Sequence, residues 1–556
     1  MKINLITNGY IQHAELLENS IRERISIEFC DEGEVIELCV DSTLGDAESY
    51  QILKNSKGWT IIGTDKMGLF YGIGKFLHSA NWNKQEFVPV PTQKLITPSS
   101  SFRAIYFAIH FYNWYQMAPT EELEKYLEEL LLWGYNTIVC IIPVVNLESF
   151  EDTLYFEMVA KVKSIFTLAK KIGMRVGITI NPNQGFKTAP HEFNADLSYE
   201  SEGMVVRGTA GRNLCPAKDG VIDYMRNIWM TQLNQFLDIG LDYLLVWPYD
   251  EGGCGCDECR PWGAKGYSNL AKMLYDDALQ LYPNIKYIIS TWLFDTPYDE
   301  GEYDGLYERL KGDLKNTDYI MVDAHDTFPR YPLEHDVVKP VVNFPEISMW
   351  KLVPWGGRGA NPMPRRFQGF WNSAKHILKG GMPYSEGMYE DILKIQCVGY
   401  YWEADRTYQD ILGEYANYEY SSDVINEVLE MMELIEDNHV GVANGLEPDM
   451  DKVNRALMLA EKIDSLLDDR AKKSWRWRIL YIRARLDQIV NQHYMDCRRD
   501  EENALYDLRH TPEDWLADNH EAQELLQELC RHYHCVSNNG ENMWTLPPVK
   551  DGIVLN

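Results

Sequence analysis

No stretch of the chain approaches the ~20 consecutive apolar residues that a membrane-spanning helix needs. The first ten residues carry one lysine, Lys2, but neither an apolar core nor a small-residue cleavage site, so no secretory leader is read and a cytoplasmic address is the default expectation. Basic charge is scarce: 53 Lys and Arg stand against 84 Asp and Glu, for a formal net charge of -31. A field of that sign repels nucleic acid and anionic lipid, which argues against both as partners and leaves a neutral ligand as the best fit. Cysteine is sparse too, 11 in 556 residues, and an odd number spread thinly outside one cluster argues against a disulfide framework. Glycine-rich phosphate loops are missing: Gly356-Gly-Arg-Gly359 opens no helix-like pattern, so nucleotide binding has no support.

What is present is the composition of an ordinary globular protein, 45% hydrophobic and 25% charged, on a chain too long for one core. Two or three domains are expected. Residues 1–97 mix short apolar segments such as 35–40 with a helix-like stretch at 67–77 and read as a small α/β domain. Pro89, Pro91 and Pro98, with serines at 99–101, form a segment that can continue neither a helix nor a central strand.

From 98 to 405 short apolar runs alternate with longer amphipathic stretches, the pattern of βα units around a parallel sheet. Strands are expected at 103–109, 137–142, 175–180, 243–247, 287–291, 319–322, 340–343 and 381–384. Between the first two, Leu123, Tyr126, Leu127, Leu130 and Leu131 make one apolar helical face that Gly134 ends. Eight such units predict a (β/α)₈ TIM barrel, with its chemistry at the C-terminal rim. The residues that follow the strands are His110, Asn181, Asp250 with Glu251, Trp292, Asp323 with His325, Glu346 and Glu386. From 406 to 556 strand signals stop. Val453, Ala456, Leu457, Ala460, Ile463 and Leu467 keep helical spacing, as do Trp475, Ile479, Ile482, Leu486 and Ile489, so an all-helical domain is expected. It offers either a homodimer surface or a cover for the barrel.

The densest segment runs from Leu244 to Cys259, through adjacent acids, two glycines and three cysteines. In a strand Asp250 and Glu251 would face opposite ways, but Gly252 and Gly253 let the backbone turn so that both reach the barrel mouth. Two near carboxylates raise each other's proton affinity, so one can stay protonated near neutral pH. Cleaving a glycosidic bond needs such an acid and a second group to capture or stabilise the oxocarbenium-like centre. The alternative is a solvated acidic loop. Glu346, in Asn343-Phe-Pro-Glu-Ile, and Glu386 are further candidates for the second group; as a plain loop carboxylate, Glu346 would pair with Lys351 or Arg358. Retention would place the partner ~5 to 5.5 Å from Glu251, and inversion ~6.5 to 9.5 Å.

The Asp-Glu pair after strand four resembles that of family 20 β-N-acetylhexosaminidases. That resemblance implies Glu251 as general acid/base and Asp250 as the group orienting the substrate's 2-acetamido nucleophile. The run from Gly58 to Gly72 is similar to the α/β domain that precedes the barrel in families 20, 67, 84 and 89, and Tyr384-Ser-Glu-Gly387 before a helical domain resembles family 89 and its relatives. An acid on strand four with a Glu on strand seven is also similar to clan A retaining glycosidases. The chain departs from family 20 after Arg103, where Ala-Ile-Tyr-Phe-Ala-Ile-His110 holds neither the Asp nor the second Arg of that family. The resemblances imply a glycosidase, and the expected cytoplasmic address alone makes it exo-acting on oligosaccharides rather than on polymers. It would be either hexosaminidase-like or a retaining enzyme of another specificity, a hexosidase or glucuronidase, using Glu251 with Glu346 or Glu386.

Cys254-x-Cys256-x-x-Cys259 offers three thiolates, and Cys215 in Asn213-Leu-Cys-Pro could close a tetrahedral set. The arrangement resembles the structural zinc site of family 42 β-galactosidases, which implies a structural zinc and no catalytic cofactor; the other reading is reduced cysteines packed as small hydrophobes. Sugar contacts are expected from Tyr249, Trp292 and Tyr384 by stacking, and from Arg103, His110, Asp323 and His325 by hydrogen bonding; for Arg103 and His110 the equal alternative is a satisfied structural role. His325 with Asp323 and Asp326 also raises a metal-dependent sugar isomerase. A non-catalytic sugar-binding barrel is the reading from a different class.

Overall fold

The computed structural model describes residues 2–82, 87–92, 94–109, 113–145, 147–196, 213–248, 252–295, 300–324, 327–348, 360–444, 446–499 and 519–534, with short strand pairs at 200–205 and 549–554. Its first sheet has the order β2-β1-β3-β5-β4, from β1 (Lys2–Ile6), β2 (Glu28–Phe29), β3 (Glu34–Val40), β4 (Tyr50–Lys54) and β5 (Gly58–Gly63). Strands β1, β3 and β5 are parallel, and β4 runs against β5. Alternation explains the faces: Ile36 and Leu38 on β3 are buried beneath helices α1 (Ile11–Arg22) and α2 (Lys66–His78). Asp65 caps α2 by accepting from the Gly68 amide at 2.7 Å. This sheet sits hard against the next domain. A Cβ at Gly74 of α2 would lie 1.9 Å from the carbonyl oxygen of Leu132, on α3 (Thr120–Trp133), so only glycine permits that approach.

The centre is a closed parallel barrel of β6 (Phe102–Phe107), β7 (Thr137–Ile141), β8 (Arg175–Ile180), β9 (Tyr243–Val246), β10 (Lys286–Ser290), β11 (Tyr319–Ala324), β12 (Val341–Pro345) and β13 (Leu378–Gly381). Gly380 and Gly381 pair with Phe102 and Arg103 to close it. Along β6, Ala104 and Tyr106 join the barrel interior with Val139, Leu245, Met321 and Phe344, while Ile105 and Phe107 face the surrounding helices. Both faces are therefore apolar, which is why these strands read as continuous runs. The eighth strand differs from expectation. Met382 and Pro383 interrupt it, and β14 (Tyr384–Ser385) resumes the pairing two residues on, opposite Tyr106 and Phe107. The expected helix is α3, with all five named residues buried and Gly134 left-handed at its end.

Arg103 is not at the rim. It is the second residue of β6, fully buried at the opposite end of the barrel, and donates to the Gly134 and Ser100 carbonyls at 2.7 Å and to Glu48 at 2.6 Å. Glu48 belongs to the first domain's side and also accepts from Arg175 at 2.6 Å and Asn136 at 3.1 Å. Arg103 is thus a bolt between domains: it lies near the N-terminal end of β6 and, by alternation, on the outward face with Ile105 and Phe107, so its side chain meets Glu48 and not the C-terminal rim.

After the barrel come α4 (Asp391–Trp402), buried at every residue, and the helices α5 (Tyr408–Glu419), α6 (Ile425–Ala443), α7 (Met450–Leu466), α8 (Trp475–Arg499) and α9 (His520–Tyr533). The expected all-helical tail has one exception, a strand pair of Val549–Lys550 with Ile553–Val554. No helix among the described residues is long and apolar enough to cross a membrane.

Candidate active site

The mouth of the barrel is floored by aromatic rings. Trp247 meets Tyr106 edge to face at 5.8 Å and Trp292 at 5.5 Å, and Phe344 packs on Trp292 at 5.9 Å and on Tyr384 at 5.8 Å. Trp292 and Tyr384, expected to stack on sugar, are only 5% and 3% exposed, so they form this floor. Asn181, at the end of β8, donates to the Trp247 carbonyl at 3.0 Å and ties the floor to the neighbouring strand.

Two glutamates stand above the floor on adjacent strands. Glu346 bridges in register to Tyr384, and Glu386 lies two residues beyond Tyr384, on the same side of the strand. Both are buried. Glu346 Oε1 accepts from the Ser348 amide at 2.7 Å and its hydroxyl at 3.0 Å; Lys351 and Arg358 lie outside the described residues. Each oxygen of Glu386 has its own tyrosine donor, Tyr384 at 3.0 Å and Tyr389 at 3.2 Å. Burial, with the neighbouring Glu390 and Glu346 carboxylates, pushes the Glu386 carboxyl up to about 8, against the two tyrosine donors. Asp323, 8% exposed, is the next-to-last residue of β11. Glu251, Asp250, Tyr249, His110 and His325 lie outside the described residues.

At the edge of the mouth the four cysteines converge. The sulfurs of Cys215, Cys254, Cys256 and Cys259 all lie within 4.8 Å of one another, with Cys215 3.7 Å from Cys256 and 4.0 Å from Cys259. Four thiolates bound tetrahedrally at ~2.3 Å stand about 3.8 Å apart, so this set fits a zinc ion. Asp196 donates its amide to Cys254 Sγ at 3.4 Å, as amides do around metal thiolates. Asn183, which the sequence did not single out, donates to the Leu214 carbonyl at 3.3 Å and the Gly253 carbonyl at 3.2 Å, joining the loops after β8 and β9. Glu390 and Lys394, buried behind Glu386, were missed as well; on paper they are an ordinary i,i+4 helix pair.

No protein-family model and no curated protein matches this chain. Solved structures do resemble it. A family 115 4-O-methyl-α-glucuronidase with specificity for decorated arabinogalactans is 11% identical, with a TM-score of 0.63 over 98% of this chain and 77% of its own. A family 138 enzyme targeting pectin rhamnogalacturonan II is 12% identical, with a TM-score of 0.56 over 98% and 76%. A Clostridium perfringens family 89 enzyme, solved with two glutamates changed to glutamine and with GlcNAc-α-1,4-galactose bound, is 11% identical, with a TM-score of 0.58 over 94% and 64%. At these identities the likeness is one of fold: a (β/α)₈ barrel between a small N-terminal domain and a C-terminal helical region, in the architecture of glycoside hydrolases.

Proposed function

We propose that this protein is an exo-acting glycoside hydrolase of oligosaccharides in which Glu251 is the general acid/base and Glu386 the second carboxylate. The observation that carries the proposal is the setting of Glu386: a buried carboxylate at the mouth of a barrel, over an aromatic floor, with both oxygens held by tyrosines. Glu251 gives its proton to the leaving oxygen while Glu386 attacks the anomeric carbon; water then takes the sugar off, with Glu251 recovering the proton. A carboxylate whose charge is disfavoured by burial gains most when a cationic centre develops beside it, which is stabilisation specific to the transition state. Asp250 takes over from Glu386 if the substrate is an N-acetylhexosaminide that supplies its own nucleophile.

The same proposal includes a structural zinc held by Cys215, Cys254, Cys256 and Cys259. When bound, the ion would pin the two loops that Asn183 also joins, one of which continues from Glu251 through Gly252 and Gly253. It would take no part in the reaction.

The test is a panel of aryl glycosides, including α-glucuronide, α-GlcNAc, β-GlcNAc, β-Gal and β-Glc, assayed on the wild type, Glu251→Gln and Glu386→Gln. Turnover lost in Glu386→Gln, and lowered in Glu251→Gln most where the aryl leaving group is poor, supports the proposal. Turnover of an N-acetyl sugar that survives Glu386→Gln moves the role to Asp250, and a wild type silent on every glycoside favours a sugar-binding barrel.

A further inference from the structure

Behind Glu386 lie two ionisable side chains that the proposed reaction does not use. Glu390 is 2% exposed and Lys394 not at all. Between β14 and α4 the chain makes one tight turn, Met388–Glu390, which brings the Glu390 carboxylate back beneath the loop it has just left. Its two oxygens accept from the Glu386 amide at 2.9 and 3.2 Å, and one also accepts from the Ser385 hydroxyl. One turn along α4, Lys394 donates to the Gly387 carbonyl and to the Tyr126 hydroxyl, the latter at 2.8 Å, with its Nζ 3.9 Å from Glu390. The Tyr115 hydroxyl closes the arrangement at 2.6 Å from Ser385 Oγ.

We propose that Glu390 and Lys394 are positioning residues that grip the backbone on the two sides of Glu386, its own amide and the carbonyl after it, and so aim its carboxylate at the barrel mouth. The inference rests on the reading of Glu386 as a reacting carboxylate. Two buried charges in a place where apolar side chains would pack are costly to keep, and here their hydrogen bonds converge on one tripeptide, Ser385-Glu386-Gly387, apart from the one that Lys394 gives to Tyr126. Lys394 also reaches the helical domain: Tyr126 donates to Asp391 at 2.9 Å, and Asp391 accepts from Tyr415 at 2.9 Å and Arg476 at 2.7 Å. The grip is thus anchored in both the barrel helix α3 and the C-terminal helices.

The pair carries an electrostatic consequence that a purely structural brace would lack. Glu386 faces the carboxylates of Glu390 and Glu346 and the hydroxyls of Tyr384 and Tyr389; Lys394 faces Glu390, Asp391, Arg476 and the rings of Tyr115 and Tyr126. Glu390→Gln keeps an acceptor for the Glu386 amide and removes one negative charge, so Glu386 should lose its proton at lower pH.

The experiment compares wild type, Glu390→Gln and Ser385→Ala in kcat, KM and pH profile, with the Glu386 carboxyl titration followed by infrared difference against Glu386→Gln. For Glu390→Gln we expect kcat down about 10- to 100-fold with KM within about twofold. The Glu386 midpoint should move down by about one pH unit. A variant with wild-type kcat and an unmoved midpoint overturns the proposal. If Glu390→Gln does not fold, Ser385→Ala decides, since it removes one anchor and no charge: a lowered kcat at an unchanged melting midpoint supports the grip, and a wild-type kcat overturns it. A wild type inactive on all glycosides would overturn the proposed function instead, and the infrared midpoint would still report whether Glu390 acts on Glu386.

Discussion

Glu386 owes its character to neighbours that pull in opposite directions. Burial and two nearby carboxylates disfavour its charge, while two tyrosine hydroxyls favour it, and the outcome is a proton held up to about pH 8. A nucleophile works as the carboxylate and Glu251 works as the acid, so kcat/KM of the free enzyme should be bell-shaped, with Glu386 on the rising limb and Glu251 on the falling one. In Glu251→Gln, assayed on an activated aryl glycoside that needs no acid, the falling limb should vanish and the rising limb stay; a limb near 8 that falls in that variant would make Glu386 the proton donor and hand the nucleophile's place to Glu346. Glu251 is tested separately. General acid catalysis contributes about 10²- to 10⁴-fold, so Glu251→Gln should lower turnover at least ~100-fold with an unchanged melting midpoint, and it should lose least on substrates with good leaving groups such as nitrophenol. Wild-type turnover in that variant would remove Glu251 from the mechanism.

Among the elements, the loops after β8 and β9 bear on the site through the cysteine cluster. Zinc at about one equivalent is expected by metal analysis of the pure protein, and a value well below one would end the idea. Removing the metal with a chelator should lower the melting midpoint and kcat together, since the loops would then be held by hydrogen bonds such as those of Asn183 and of the Gly255 amide to Asp196, without the metal's four ligand bonds. These elements were legible in the sequence to different degrees. The first seven barrel strands show as apolar runs because both their faces are buried, and the eighth is faint because Pro383 divides it. The Cys-x-Cys-x-x-Cys spacing pointed to the cluster, and Glu386 was visible because it follows a strand. Glu390 and Lys394 were not, because a Glu and a Lys four residues apart on a helix look solvent-exposed until the fold covers them. Arg103 takes the structural one of its two readings: it is second in its strand and on the outward face, at the end of the barrel opposite the rim.

At the scale of the whole molecule, the barrel is held between the two flanking regions by buried charges. Arg476 of α8 pairs with Asp391 and Glu129, each at 2.7 Å, and Arg103 and Arg175 share Glu48. Burial pushes the Glu48 carboxyl up, but the Arg103 and Arg175 guanidiniums outweigh it and hold the group below the usual carboxylate range. A carboxyl whose folded value is depressed adds stability above its ordinary value, and that stability is lost as pH falls through the folded one. Removing one partner of a buried pair costs about 3 to 5 kcal/mol. Arg103→Met should fall at the low end, since Glu48 keeps Arg175 and Asn136. The expected result is a lower melting midpoint, acid unfolding that begins at higher pH than in the wild type, and kcat and KM within about twofold, because Arg103 lies at the end of the barrel away from Glu386. A KM raised tenfold at an unchanged melting midpoint would contradict that placement and return Arg103 to the substrate.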